Sequence, residues 1–337
     1  MTQPTTRRLA IALAAALVGC AAVKPAPTGA AAPAWPEPPA APRARFAAQF
    51  PGRDGDRSRS FWRRTLDAVV GVERSSEPAA SALERPFAIA AERGGFLVAD
   101  PDGARVLRVD WRAGRSEPVE CAGRAWVAPI AVAVDAAGAA LVADGDHVVR
   151  VAGGSCSAFG EGALERPAGV AAGRDRVYVV DPPRHDVVAF DQTGAEVLRF
   201  GSRGDGDGEL NYPTAIAVAP DGSLLVVDAL NFRIVRFSAD GQFLGAFGEA
   251  GDEDGSFARP KAVAVDAGGR IYVSDAERDV VAVYDAAGRF EYALGASGSG
   301  TGELLLPAGV AVADRHLFVA DSHNRRIEIF ELLGDRS

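Results

Sequence analysis

The chain has 337 residues, 48% hydrophobic and 24% charged, with 38 Gly and 21 Pro, a balance that builds a turn-rich globular core and argues against a disordered chain. Its net charge of -9 is uneven, because residues 1–79 carry 11 Lys/Arg against 6 Asp/Glu while the remainder carries 25 against 39. So acidic a body repels phosphates and disfavours nucleic-acid binding. Three cysteines without CxxC, CxxCH or zinc spacing remove thiolate-metal and redox-motif chemistry.

At the N-terminus, Arg7 and Arg8 precede an uncharged run from Leu9 to Val18, which is too short to span a bilayer and suits the core of an export signal. The run ends in Leu17-Val18-Gly19-Cys20, which resembles the lipobox of bacterial lipoproteins. The resemblance implies that residues 1–19 are removed and that Cys20 takes the lipid. The membrane is then met through this anchor alone, outside the cytoplasm. In a Gram-negative host, Ala21 in place of aspartate points to the outer membrane, with the protein periplasmic or surface-exposed. Residues 20–42 are almost entirely Ala, Pro and Gly and read as a lipidated spacer without a core.

Residues 43–80 read as a connecting unit. Arg43 to Phe50 (RARFAAQF) alternates as a strand does, and Ser58 to Gly71 reads as a short helix. Trp62, Leu66, Val69 and Val70 share one helical face, Ser60 is the cap and Gly71 the stop. Such a helix either packs on the body or docks a partner.

From residue 81 to 337 one pattern recurs: a proline, an apolar strand, a turn, a second strand closing on Asp, a third strand and a Gly-rich link. The prolines are Pro86, Pro129, Pro167, Pro213, Pro260 and Pro307. The closing aspartates are Asp100, Asp144, Asp181, Asp228, Asp275 and Asp321, separated by 44, 37, 47, 47 and 46 residues. Short β-branched runs bounded by Gly, Asp and Pro exclude a helical repeat, and second strands apolar on both faces need cover from both sides. Four-stranded antiparallel units of this length form blades around an axis, so the fold class is all-β, a six-bladed β-propeller. The sixth unit runs out of chain after Ile327 to Leu332, which leaves residues 43–50 to supply its fourth strand and close the ring.

The repeats resemble the NHL family over roughly three quarters of the chain. Blades four and six carry the motif most fully, with Asp228, Asn231 and Arg233 in DALNFRI and Asp321, Asn324 and Arg326 in DSHNRRI. Blades two, three and five lack the Asn and the Arg, which argues against six equal sites. The resemblance implies a non-catalytic binding or scaffold module for a protein, peptide or glycan at the cell envelope. The alternative is a metal-dependent lyase or lactonase that uses the central channel with zinc or calcium.

The second-to-third turn and the link fall at the same end of every blade, so the candidate ligand face gathers Asp100, Asp144, Asp181, Asp228, Asn231, Arg233, Asp275, Asp321, Asn324 and Arg326. Two readings stay open for these residues. Either each Asp accepts backbone N–H bonds and pairs with an arginine such as Arg105, Arg233 or Arg326, or together they rim a ligand site at the channel mouth. No catalytic residue stands out. His147, His185 and His323 follow second strands and are the histidines on which a zinc centre would draw. The acidic links around Asp205, Asp207 and Glu209 and around Asp252, Glu253 and Asp254 are the places for calcium. Cys121 and Cys156 are within reach of a disulfide if their Cα atoms approach to about 7 Å.

Overall fold

The structure is a computed structural model that describes residues 24–25, 32–50 and 83–334. The segment read as an export signal, Cys20 and the helix read over residues 58–71 lie outside the described residues. Among the described residues no helix is long and apolar enough to cross a membrane.

Six antiparallel sheets form, five of four strands and the sixth extended by two short upstream strands, and their innermost strands neighbour one another around a closed ring. Blade one spans residues 88–118, blade two 129–159, blade three 169–200, blade four 213–247 and blade five 260–294. In blade four the order is Pro213–Val218, Leu224–Asp228, Arg233–Phe237 and Phe243–Phe247. Blade six takes three strands from residues 307–332 and its outer strand, Ala44–Phe50, from far upstream, with Ile327 opposite Phe50 and Leu332 opposite Ala44. The sheet is thereby completed, and Ala44, Phe46, Ala48 and Phe50 bury the alternate face of that strand.

Each second strand is buried over nearly its whole length, as in Leu224–Asp228 and Ile271–Asp275, because a radial blade is covered on both faces by its neighbours. The core is accordingly divided into seams. Phe46, Leu317, Val319 and Phe330 pack with Tyr272 and Val283 between blades five and six, whereas Phe50, Ile327 and Ile329 pack with Phe96 and Val98 between blades six and one. The outer strand of blade six therefore anchors two seams.

Part of the segment read as spacer belongs to the body. Ala34–Trp35 pairs with Ala44–Phe50, and Trp35 meets Phe330 edge-on at 5.3 Å. Trp35 is the aromatic residue in an Ala/Pro stretch, and burying its ring while covering a sheet edge gives that stretch a reason to fold back.

Candidate functional site: the mouth of the central channel

The innermost strands leave a narrow channel with about 80 Å³ of free space, lined by residues 87–89, 130–132, 168–170, 214–216, 261–263 and 308–310. Close approach of the blades keeps it narrow. A Cβ on Gly309 would stand 2.8 Å from the Ala88 Cα, and one on Gly169 would stand 2.9 Å from the Ala215 Cα. At the end where the second-to-third turns lie, the channel opens into a cavity of about 690 Å³. Its apolar lining includes Phe87, Ile130, Pro167 and Pro182, and its polar lining comprises Asp146, Glu165, Arg166, Tyr212, Thr214 and Lys261.

The six closing aspartates stand behind this mouth and do not line it. Each is at most 1% exposed, and each ties the end of the second strand to the link entering its own blade. Asp100 accepts the N–H groups of Glu84 and Arg85, Asp144 those of Val127 and Ala128, and Asp181 those of Glu165 and Arg166. Asp275 does the same with Ala258 and Arg259, while Asp228 takes Asn211 and Asp321 takes Leu305. A buried carboxylate that accepts two backbone N–H groups is a bracket. Of the two readings of these residues, the geometry supports the bracket.

The residue paired across the sheet from each aspartate decides how its charge is met. In blades one, four and six it is Arg105, Arg233 and Arg326, with ion pairs of 2.8, 2.8 and 2.7 Å. In blade two it is His147, and Arg124 arrives from the link instead, 3.8 Å from Asp144 and against the His147 ring. In blade three it is a second acid, Asp186. There Arg184 lies 3.6 Å from Asp181, and Arg199 pairs with Asp186 at 2.7 Å. Burial nevertheless raises the Asp186 carboxyl, with Arg199 opposing. In blade five it is Val280, and Asp275 takes further N–H groups from Glu277 and Arg278.

The acidic links already hold a cation. Arg233 donates to the carbonyls of Asp205, Gly206 and Glu209, and Asn231 donates to Gly204 and to Asp228. Arg278 reaches the carbonyls of Asp252, Glu253 and Ser256. In blade six, Arg326 takes those of Ser299, Gly300 and Glu303, and Asn324 that of Gly298. The carbonyls on which calcium would draw are therefore occupied by guanidinium groups. Neither link presents an open set of those carbonyls to calcium. Asn231, Arg233, Asn324 and Arg326 likewise organise loops and do not form an open ligand rim.

A zinc centre does not fit either. His147 is held by Asp146 and Arg124, and the His185 Nδ1 accepts the Tyr212 N–H at 3.1 Å. His323 is exposed on the turn of blade six. Among the described residues no three His, Cys, Asp or Glu side chains come together to hold a metal ion.

Cys121 and Cys156 form a disulfide with Cα atoms 5.8 Å apart. It ties the link between blades one and two to the outer strand Ser155–Phe159.

Comparison with known proteins agrees with this architecture. A family model described as a 6-bladed beta-propeller matches residues 163–247, and an NHL repeat model matches residues 304–330. The protein is a six-bladed propeller with an NHL repeat. No curated protein sequence matches it. Among solved structures, this propeller is similar to an auxiliary nutrient binding protein from Bacteroides thetaiotaomicron, at 12% identity over 75% of this chain and 70% of that one, with a TM-score of 0.59. It is similar to a gluconolactonase from Xanthomonas campestris at 18% identity, over 74% and 86% of the two chains, with a TM-score of 0.58. It is also similar to virginiamycin B lyase from Staphylococcus aureus at 12% identity, over 74% and 96%, with a TM-score of 0.55. At such identities the likeness is one of fold.

Sequence reasoning missed the residues that line the mouth: Arg166, Tyr212, Thr214 and Lys261. The signal that finds them is the repeat itself, because the positions immediately after each innermost-strand proline ring the channel, and those immediately before it in blades two, three and four reach the mouth. Before the proline stand Arg85, Ala128, Arg166, Tyr212, Arg259 and Leu306, and after it Phe87, Ile130, Ala168, Thr214, Lys261 and Ala308.

Proposed function

We propose that this propeller is a lipid-anchored binding module on the extracytoplasmic side of a membrane, and that its channel mouth receives a peptide or glycan without converting it. The mouth cavity carries this reading. At about 690 Å³ it falls in the range of ligand pockets, with an apolar lining and a few convergent polar groups. Two of the histidines that the lyase or lactonase alternative would recruit, His147 and His185, are held by neighbouring residues, which favours the binding reading. The Cys121–Cys156 disulfide supports an oxidising compartment, in line with the export signal and lipobox-like LVGC ending at Cys20. The resemblance to a nutrient binding protein is compatible with this reading.

The test has two arms. Purified full-length protein is assayed for zinc and calcium, and then applied to peptide and glycan arrays beside a Thr214→Trp variant that fills the mouth. The expected result is no stoichiometric metal, with binding to one ligand class that Thr214→Trp abolishes. A tightly held metal whose chelation lowers Tm, together with lactone hydrolysis or lyase activity, would overturn the proposal in favour of the enzyme. For the anchor, incorporation of labelled palmitate that Cys20→Ala removes is the expected outcome.

A further inference from the structure

The body of the protein is strongly acidic, yet two cations, Arg166 and Lys261, line its mouth. Arg85, Arg166 and Arg259 occupy the position before the proline in blades one, three and five, and Lys261 the position after it in blade five. Arg85 is neutralised by Asp102 at 2.8 Å. The other three differ. Arg166 donates to the Tyr212 hydroxyl at 2.9 Å, and among the described residues neither Arg166, Arg259 nor Lys261 has an ion pair.

The acids in the same cavity do not supply that missing charge. Asp146 pairs with His147 at 2.8 Å, and Glu165 faces Arg184 at 4.0 Å. Lys261 is half-buried. Burial, with Arg259 adding to it, holds its ammonium below the usual lysine range, which is the electrostatic signature of a cation without a counter-charge. Of the six residues in its ring it alone is charged, beside Phe87, Ile130, Ala168, Thr214 and Ala308. A cation placed half-buried against apolar walls is costly unless something compensates it. An anion carried on an apolar or weakly polar framework supplies both the counter-charge and the matching surface.

We infer that the mouth selects organic anions, with a carboxylate received by Lys261 and Arg166 and the body of the ligand lying against Phe87, Ile130 and Pro167. Tyr212 orients the Arg166 guanidinium, and Thr214 adds a hydroxyl on the same wall. This inference rests on the binding reading above and specifies the chemistry of the ligand.

The probe pair is 2-naphthoate and 2-naphthamide, which share their rings and differ in charge. Each is titrated by calorimetry into full-length protein carrying Cys20→Ser, to keep lipid and detergent out of the cell. Naphthoate is expected to bind at least tenfold more tightly than naphthamide, the ratio a charge-assisted pair provides. Lys261→Met should collapse that ratio toward one, and Lys261→Arg should preserve it. Equal affinity for the two probes in the parent protein would overturn the inference and leave the binding reading intact. Failure of both probes to bind would also overturn it, and the array result with Thr214→Trp then decides the binding reading separately.

Discussion

The aspartate bracket and the channel mouth lie within a few residues of each other in every blade, yet they follow opposite rules. The bracketing aspartate recurs in all six blades, buried each time and tied to the link entering its blade. Where its arginine is missing, as in blades two and three, another arginine comes from a different chain position, Arg124 or Arg184, to approach the carboxylate. The mouth varies from blade to blade, with Phe87, Ile130, Ala168, Thr214, Lys261 and Ala308 in equivalent places. Repetition with replacement marks what the ring needs in order to stand. Variation at equivalent positions marks what this particular ring is free to use.

Substitutions can separate the two regions. The largest effect is expected at the bracket. Asp228→Ala leaves Arg233 and the Asn211 N–H without their buried acceptor, so denaturant unfolding should show a loss of about 3–5 kcal/mol. Reduction of Cys121–Cys156, or the double Ser variant, should cost about 2–4 kcal/mol. Hydrogen exchange should place that loss at blades one and two.

A smaller effect is expected from a charge inside a seam. Glu328 is fully buried on the third strand of blade six, where the equivalent residues are Leu107, Val149, Val188, Val235 and Ala282. Its Oε1 lies 2.9 Å from the Arg326 Nε. Burial pushes its pKa up to about 8, with Arg326 lowering it and Asp321 raising it. The folded pKa is above the ordinary glutamate value, so the folded state holds the proton more tightly than the unfolded chain does. The stabilisation is therefore fully present below the ordinary carboxylate range and is lost as pH rises to about 8. Tm should fall across that window, and Glu328→Gln should flatten the fall and raise Tm by roughly 2–4 °C at its upper end. The smallest effect on stability belongs to the mouth. Lys261→Met should stay within about 0.5 kcal/mol of the parent, and a large loss there would mean that the mouth, too, is scaffold.

How much of this could be read from the residues follows from the same contrast. Prolines and aspartates at a regular spacing announce blades, because a repeated bracket requires a repeated residue. The alternating RARFAAQF segment and the missing sixth outer strand identify each other. The substitutes are harder to read. Arg124 and Arg184 reach their aspartates from positions outside the repeat offset, and a contact made in space leaves no mark at a fixed spacing. The acidic links look like calcium loops because the guanidinium that fills each one is encoded some 25 residues later, as in Arg233 to Asp205. Trp35 reads as part of a tether because composition averages over its neighbours, whereas its burial depends on one ring, Phe330. Lys261 was invisible for a different reason: a lone lysine in a strand acquires meaning only when its five counterparts stand around it.

The account is tested most directly by finding where an anionic ligand lands. Amide hydrogen exchange of the full-length Cys20→Ser protein, with and without saturating 2-naphthoate, reports this without a mutation in the fold. Added protection is predicted in the segments around Arg85–Ile89, Arg166–Val170, Tyr212–Ile216 and Arg259–Val263, with the outer strands unchanged. Protection on the outer strands, or none at the mouth, would contradict it.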